Sequence, residues 1–148
     1  MLSLPFSVAW IGAAIAIVQT ALLAWHLRRK YAAIPKRVPL GLRFDGRPRA
    51  LASKRWLWLS PALVAVLIAI LCAEMTLTPP PVETHVTLLF VFLVIAEVAW
   101  FVGWTIDRQI ELARGMTHRI APTRILLTFF PVLATIAITL ALAITQTL

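Results

Sequence analysis

A chain of 148 residues in which 61% of side chains are apolar, with a mean hydropathy of +0.90, is too apolar for a soluble domain of this size. Its 14 Lys/Arg against six Asp/Glu leave a net charge of +8; between membrane spans such an excess sets topology and attracts anionic lipid, so nucleic acid is not an expected partner. The single cysteine, Cys72, lies inside an apolar run, which excludes a disulfide framework or a thiolate metal cluster and leaves a small buried hydrophobe.

The first apolar run extends from about Leu4 to Leu27 without a charge. No Lys or Arg precedes Arg28, unlike the basic start of a signal peptide, and the run is long enough for a span of about 20 residues. A retained transmembrane helix is expected, with Gln19 and Thr20 turned toward other helices. The stretch from Arg28 to Trp56 then carries ten Lys/Arg against Asp45 alone, with Pro35, Pro39, Gly41, Gly46 and Pro48 spread through it. It predicts a basic, non-helical loop: the prolines fix φ, and Gly46 after Asp45 marks a turn with φ > 0. Two roles fit this loop. It is either a rigid surface presenting Arg43, Asp45 and Arg47 to a partner, or a compact re-entry that starts the second helix.

The second run, Leu57 to about Thr78, follows Trp56 and Trp58, which suit the headgroup level, and has Pro61 in its first turn, where a missing N–H costs little. Thr78–Thr84 is too proline-rich to be helical. The third run, His85 to Ile106, contains Glu97 near its middle. Asp107–Arg124 reads as a short amphipathic segment, broken by Gly115 and stopped by Pro122. The fourth run, Ile125 to Leu148, has Pro131 about two turns in. In lipid every backbone polar group must be satisfied within its segment, so all four runs are expected to be helices. Continuous rather than alternating apolar character excludes a β-barrel. The expected fold is an all-α integral membrane protein, a four-helix transmembrane bundle forming one domain over residues 1–148, with helices at about 4–27, 57–78, 85–106 and 125–148. All 14 Lys/Arg lie in the first and third connections, ten and four. By the positive-inside rule both basic loops are cytoplasmic and both termini lie outside.

The first connection also carries a family resemblance. Ile34-Pro35-Lys36-Arg37-Val38-Pro39, then Phe44-Asp45-Gly46-Arg47-Pro48, then Ser53-Lys54 resembles a bacterial membrane domain of unknown function found in SdpI-type immunity proteins. That family's pattern is a Leu-Pro…Pro-x-His segment, a glycine about seven positions beyond the second proline, and Ser-Lys at the start of the next helix. Ala113-Arg114-Gly115 is similar to a short element of the same proteins. The likeness is close over the first connection and rests on hydropathy elsewhere. It implies a non-enzymatic inner-membrane protein concerned with immunity to, or sensing of, a membrane-active agent. Gly41 stands where the family has its histidine, and the family's loop is often placed outside the cytoplasm, whereas the charges here place it inside.

Glu97 is the one ionisable residue near mid-span. Burial there costs a few kcal/mol, so it should face the bundle or a watery cleft, in its neutral form if the surroundings are apolar. It serves either as a proton or cation site or as an interhelical hydrogen-bond partner of Gln19, Thr128, Thr135 or Thr139; the three threonines share a face of the fourth run by spacing. Trp100, Phe101 and Trp104 follow Glu97 at three, four and seven residues, as a packing stripe or a surface for a cationic ligand. Glu74, Glu83 and His85 gather near the Pro-rich turn without a fixed ligand spacing. Arg28, Arg29, Lys30, Lys54 and Arg55, at the ends of the first two runs, are the expected contacts with anionic lipid. No catalytic set, phosphate loop or metal-binding spacing is present; His26, His85 and His118 fall at three separate boundaries, and no cofactor is implied. Besides the immunity role, two further functions fit: a small transporter or proton-coupled carrier centred on Glu97, and an accessory subunit, or a homo-oligomer, that packs through transmembrane helices.

Overall fold

Four helices long and apolar enough to cross a membrane dominate the structure, a computed structural model that describes residues 4–39, 50–116 and 120–147. They are α1 (Leu4–Lys30), α2 (Leu59–Leu77), α3 (His85–Ala113) and α4 (Pro122–Thr147). Between α1 and α2 lies a small antiparallel ribbon of β1 (Arg37–Pro39) and β2 (Leu51–Ser53), in the register Arg37↔Ser53, Val38↔Ala52 and Pro39↔Leu51. The all-α expectation therefore describes the bundle, and the first connection adds a β element too short for any alternation to reveal.

The tightest packing is between α1 and α3, with α2 lying on both and α4 packed chiefly on α3. One face of α1 explains this. Ala9, Gly12, Ala13 and Ala16 recur at helical spacing, and the three alanines are fully buried. A Cβ built on Gly12 would lie 3.1 Å from Phe92 Cβ and 3.2 Å from the backbone of Leu89, so any larger residue there would push the two helices apart by a few tenths of an ångström or more. Small residues on both sides let backbones approach closely, which is how apolar helices gain contact energy when lipid offers equally good dispersion partners. On α3 the answering face is Phe92, Ala96 and Ala99, continued by Ile106 and Ile110.

That continuation carries α3 beyond the apolar run. The helix was expected to stop near Ile106, but Ile106, Gln109 and Ile110 stay buried and the helix proceeds to Ala113. Its end is a Schellman motif: the N–H of Gly115 bonds to the Leu112 carbonyl (3.1 Å) and that of Met116 to the Glu111 carbonyl (3.1 Å), with Gly115 at φ 70°. Pro122 does not stop an amphipathic segment. It opens α4, where a residue without an N–H leaves no helical bond unmade. At the other end of the first connection, a short 3₁₀ turn (Lys54–Trp58) leads into α2, with Pro61 in that helix's first turn.

The ribbon is tucked against α3 at the same end of the bundle, with Ile34, Val38 and Pro39 buried. Lys54 fastens it. Its backbone N–H bonds to the Lys36 carbonyl (3.1 Å), and its ammonium donates to the carbonyls of Tyr31 (3.0 Å) and Ile34 (3.4 Å) while lying 4.4 Å from the centre of the Tyr31 ring. Just beyond the end of α1, the ammonium thus adds a charged donor to the Tyr31 carbonyl, which also accepts the Ile34 N–H (3.3 Å), and to the Ile34 carbonyl; hydrogen bonds to a charged group are worth about 1.5–3 kcal/mol each in favourable settings.

The close approach at Gly12 makes a specific demand. Gly12→Val should force α1 and α3 apart and lower stability by about 1–3 kcal/mol, as overpacking does. Gly103→Ala, whose Cβ meets only the tip of Leu23 at 3.1 Å, should leave the unfolding midpoint in detergent near that of the parent, checked by thermal denaturation of both variants.

Candidate functional site

Glu97 lies on the face of α3 turned toward α4. The Thr135 hydroxyl donates to Glu97 Oε1 at 2.9 Å, and Glu97 Oε2 is buried with no hydrogen-bond donor among the described residues. Of the four partners expected for Glu97, the structure brings only Thr135 to it. Thr128 donates to the Arg124 carbonyl (2.7 Å) and Thr139 to the Thr135 carbonyl (2.8 Å), each covering its hydroxyl on its own helix. Gln19 lines a groove between α1 and α3 instead. Thr20 is buried and donates to the Ala16 carbonyl at 2.8 Å.

The Thr135 hydroxyl also lies 3.1 Å from the Pro131 carbonyl. The hydroxyl has one proton, which the Glu97 and Pro131 oxygens share as a three-centre hydrogen bond.

The aromatic stripe divides between two faces of α3. Phe101 packs toward α4, with ring centres 5.0 Å from Phe129 and 6.0 Å from Trp104. Trp100 and Trp104 line the α1–α3 groove, where Trp100 is half exposed. At the Pro-rich turn, His85 is buried and Glu74 is exposed. No three His, Cys, Asp or Glu side chains come together as a metal site among the described residues.

The basic end is cross-tied by pairs that no local pattern announces. His26 Nε2 lies 3.0 and 3.2 Å from the two carboxylate oxygens of Asp107, and Lys30 Nζ donates to Asp107 Oδ1 at 3.0 Å. Arg114 Nη2 donates to the Ala33 carbonyl at 3.0 Å. The His26 and Lys30 side chains are 44% and 45% exposed, so each contact with Asp107 is worth at most about 1 kcal/mol. Arg108 pairs with Glu111 at 2.6 Å within α3.

The residues expected to meet lipid are thus not equivalent. Arg28 and Arg55 are exposed, Arg29 lies 5.4 Å from the Trp25 ring centre, Lys30 is shared with Asp107, and Lys54 is turned inward. In the loop motif, Pro35 is half-buried, Pro39 is buried, and Ser53 is exposed with no side-chain bond capping the turn that follows it. Arg43, Asp45, Gly46 and Pro48, with Gly41, Arg47 and His118, lie outside the described residues. Compared with protein-family models, curated proteins and solved structures, the chain matches none.

The Glu97–Thr135 bond links α3 to α4. Thr135→Val should lower stability by roughly 0.6 kcal/mol, and by no more than about 1.7. Glu97→Gln, whose amide oxygen can accept from Thr135 as Glu97 Oε1 does, should unfold close to the parent midpoint. A Gln variant destabilised as much as Glu97→Leu would contradict this account of the bond.

Proposed function

We propose that this chain is a small, non-enzymatic protein of the bacterial inner membrane. It crosses the membrane four times with both termini outside and its basic end in the cytoplasm. It is related to SdpI-type immunity proteins and protects against, or senses, a membrane-active agent. One observation carries this reading: residues of the resembling motif that are far apart in sequence fold into a single unit. Pro35 precedes β1 and Pro39 ends it, Ser53 pairs with Arg37, and Lys54 closes the unit through the Tyr31 and Ile34 carbonyls. Of the two roles that fitted the loop, this arrangement favours the compact re-entry, because the motif lysine faces its own chain. The agent is then met in the bilayer or on the outer side, consistent with Gly41 in place of the family's histidine.

The membrane reading rests on the four spans and on the one-sided charge. In a Cys72→Ala background, an impermeant thiol reagent applied to intact cells should label a cysteine at Thr145 and spare one at Ala50. Labelling at Ala50 would overturn the orientation. Deleting the gene should raise sensitivity to at least one agent in a panel of membrane-active peptides, and unchanged sensitivity across a broad panel would refute the immunity role.

A second reading is favoured by the setting of Glu97. A carboxyl between spans, held by one hydroxyl and with its other oxygen buried and unpartnered among the described residues, is suited to carrying a proton. Glu97→Gln separates the two: it should retain wild-type protection if the bond is structural, whereas a folded but inactive variant would mark a proton-coupled carrier, since an amide does not titrate.

A further inference from the structure

At the basic end a groove of about 430 Å³ opens between α1 and α3, bounded by Gln19 to Arg29 on one helix and Ala99 to Asp107 on the other. At 1.5 Å per residue these stretches are about 15 and 12 Å long, the depth of one leaflet in a hydrocarbon core about 30 Å thick. The groove is open because Gly103 contributes no side chain, and Trp25 and Trp100 stand half exposed beside it. Charge is confined to one end. Asp107 is already met by His26 and Lys30, and Arg29 lies over the Trp25 ring rather than against an acid. Arg29 and Lys30 thus stand at this mouth beside the single carboxylate of Asp107, a local excess of positive charge before His26 is counted.

We propose that this groove holds one anionic phospholipid, with its phosphate at Arg29 and Lys30 and an acyl chain laid past Trp100 and Gly103 toward Gln19. The proposal rests on the membrane reading above and gives the expected lipid contact a defined place. Charge complementarity selects the occupant. A neighbouring helix would fill the apolar part but gain nothing from a cationic mouth, and a zwitterionic lipid brings the chain without the net charge. Lys54 and Arg55 take no part.

The test uses purified, delipidated full-length protein in mild detergent, with dioleoyl phosphatidylglycerol, dioleoyl phosphatidylcholine and glycerol 3-phosphate as probes. Bound lipid is counted by native mass spectrometry, and affinity is read from the shift in thermal midpoint. Phosphatidylglycerol should bind at one per chain and raise the midpoint, while the other two should not. Arg29→Gln should weaken that binding about five-fold, the effect of one cation worth about 1 kcal/mol at an anionic surface. Arg55→Gln should leave it unchanged. Gly103→Leu should abolish it by filling the groove. Equal losses from Arg29→Gln and Arg55→Gln would mean diffuse attraction and overturn the site. So would equal binding of phosphatidylcholine, or a midpoint shift from glycerol 3-phosphate alone. A change of oligomeric state in Gly103→Leu with lipid binding intact would reassign the groove to a second copy. Detergent erases sidedness, so this result is independent of the labelling outcome that tests orientation.

Discussion

The small residues of α1 where it crosses α3 are the constraint from which the remaining geometry follows. Gly12 lies against the backbone of Leu89 and the Cβ of Phe92, and the flanking alanines keep the helices close over about two turns. Between apolar helices in lipid, hydrophobic transfer no longer distinguishes a packed face from a lipid-facing one, so close contact itself must supply the preference. Once α3 is fixed on α1, its rotation is fixed too. Leu89, Phe92, Ala96, Ala99, Gly103 and Asp107 follow the helical spacing of one face, and Glu97 and Phe101 are turned away from it. The carboxyl therefore meets α4, and the salt-bridging aspartate meets His26.

The basic end obeys a different requirement. Three-residue strands do not persist alone in water. Here the ribbon survives because Val38 and Pro39 are buried under the bundle and Lys54 draws the two sides of the connection together. A loop rich in Lys and Arg thus has an apolar underside, and its charges are sorted: some face outward, while others complete the ends of the helices.

The sequence makes the four spans legible because each is a long apolar run between charged or proline-rich stretches. It does not fix their ends. The buried stripe through Ile106 and Ile110 lengthens α3 by two turns after charges have entered the sequence, and Pro122, equally at home before or after a helix, proved to begin one. Three threonines shared one face of α4 as candidate partners of Glu97; helix rotation and depth, which spacing does not encode, select Thr135. His26 and Asp107 come together across 81 residues with no local sign. The α1 face was legible in principle, since Ala9, Gly12, Ala13 and Ala16 repeat at intervals of three and four, the small-residue pattern of close helix pairs. Weighing only polar and charged residues along the first run passes over it.

The pairing of the first helix with the third also imposes an order in time. The ribosome adds roughly 5–20 residues per second, so Asp107 is made about 4–16 seconds after His26, 81 residues earlier. Until Leu89 and Phe92 follow, the closely matched face of α1 has no counterpart, and α2, already synthesised, is the first neighbour available to it. The final arrangement therefore has to be reached by displacement or by waiting, and a nascent chain held at that stage presents Gly12 and its alanines to whatever other helices it meets.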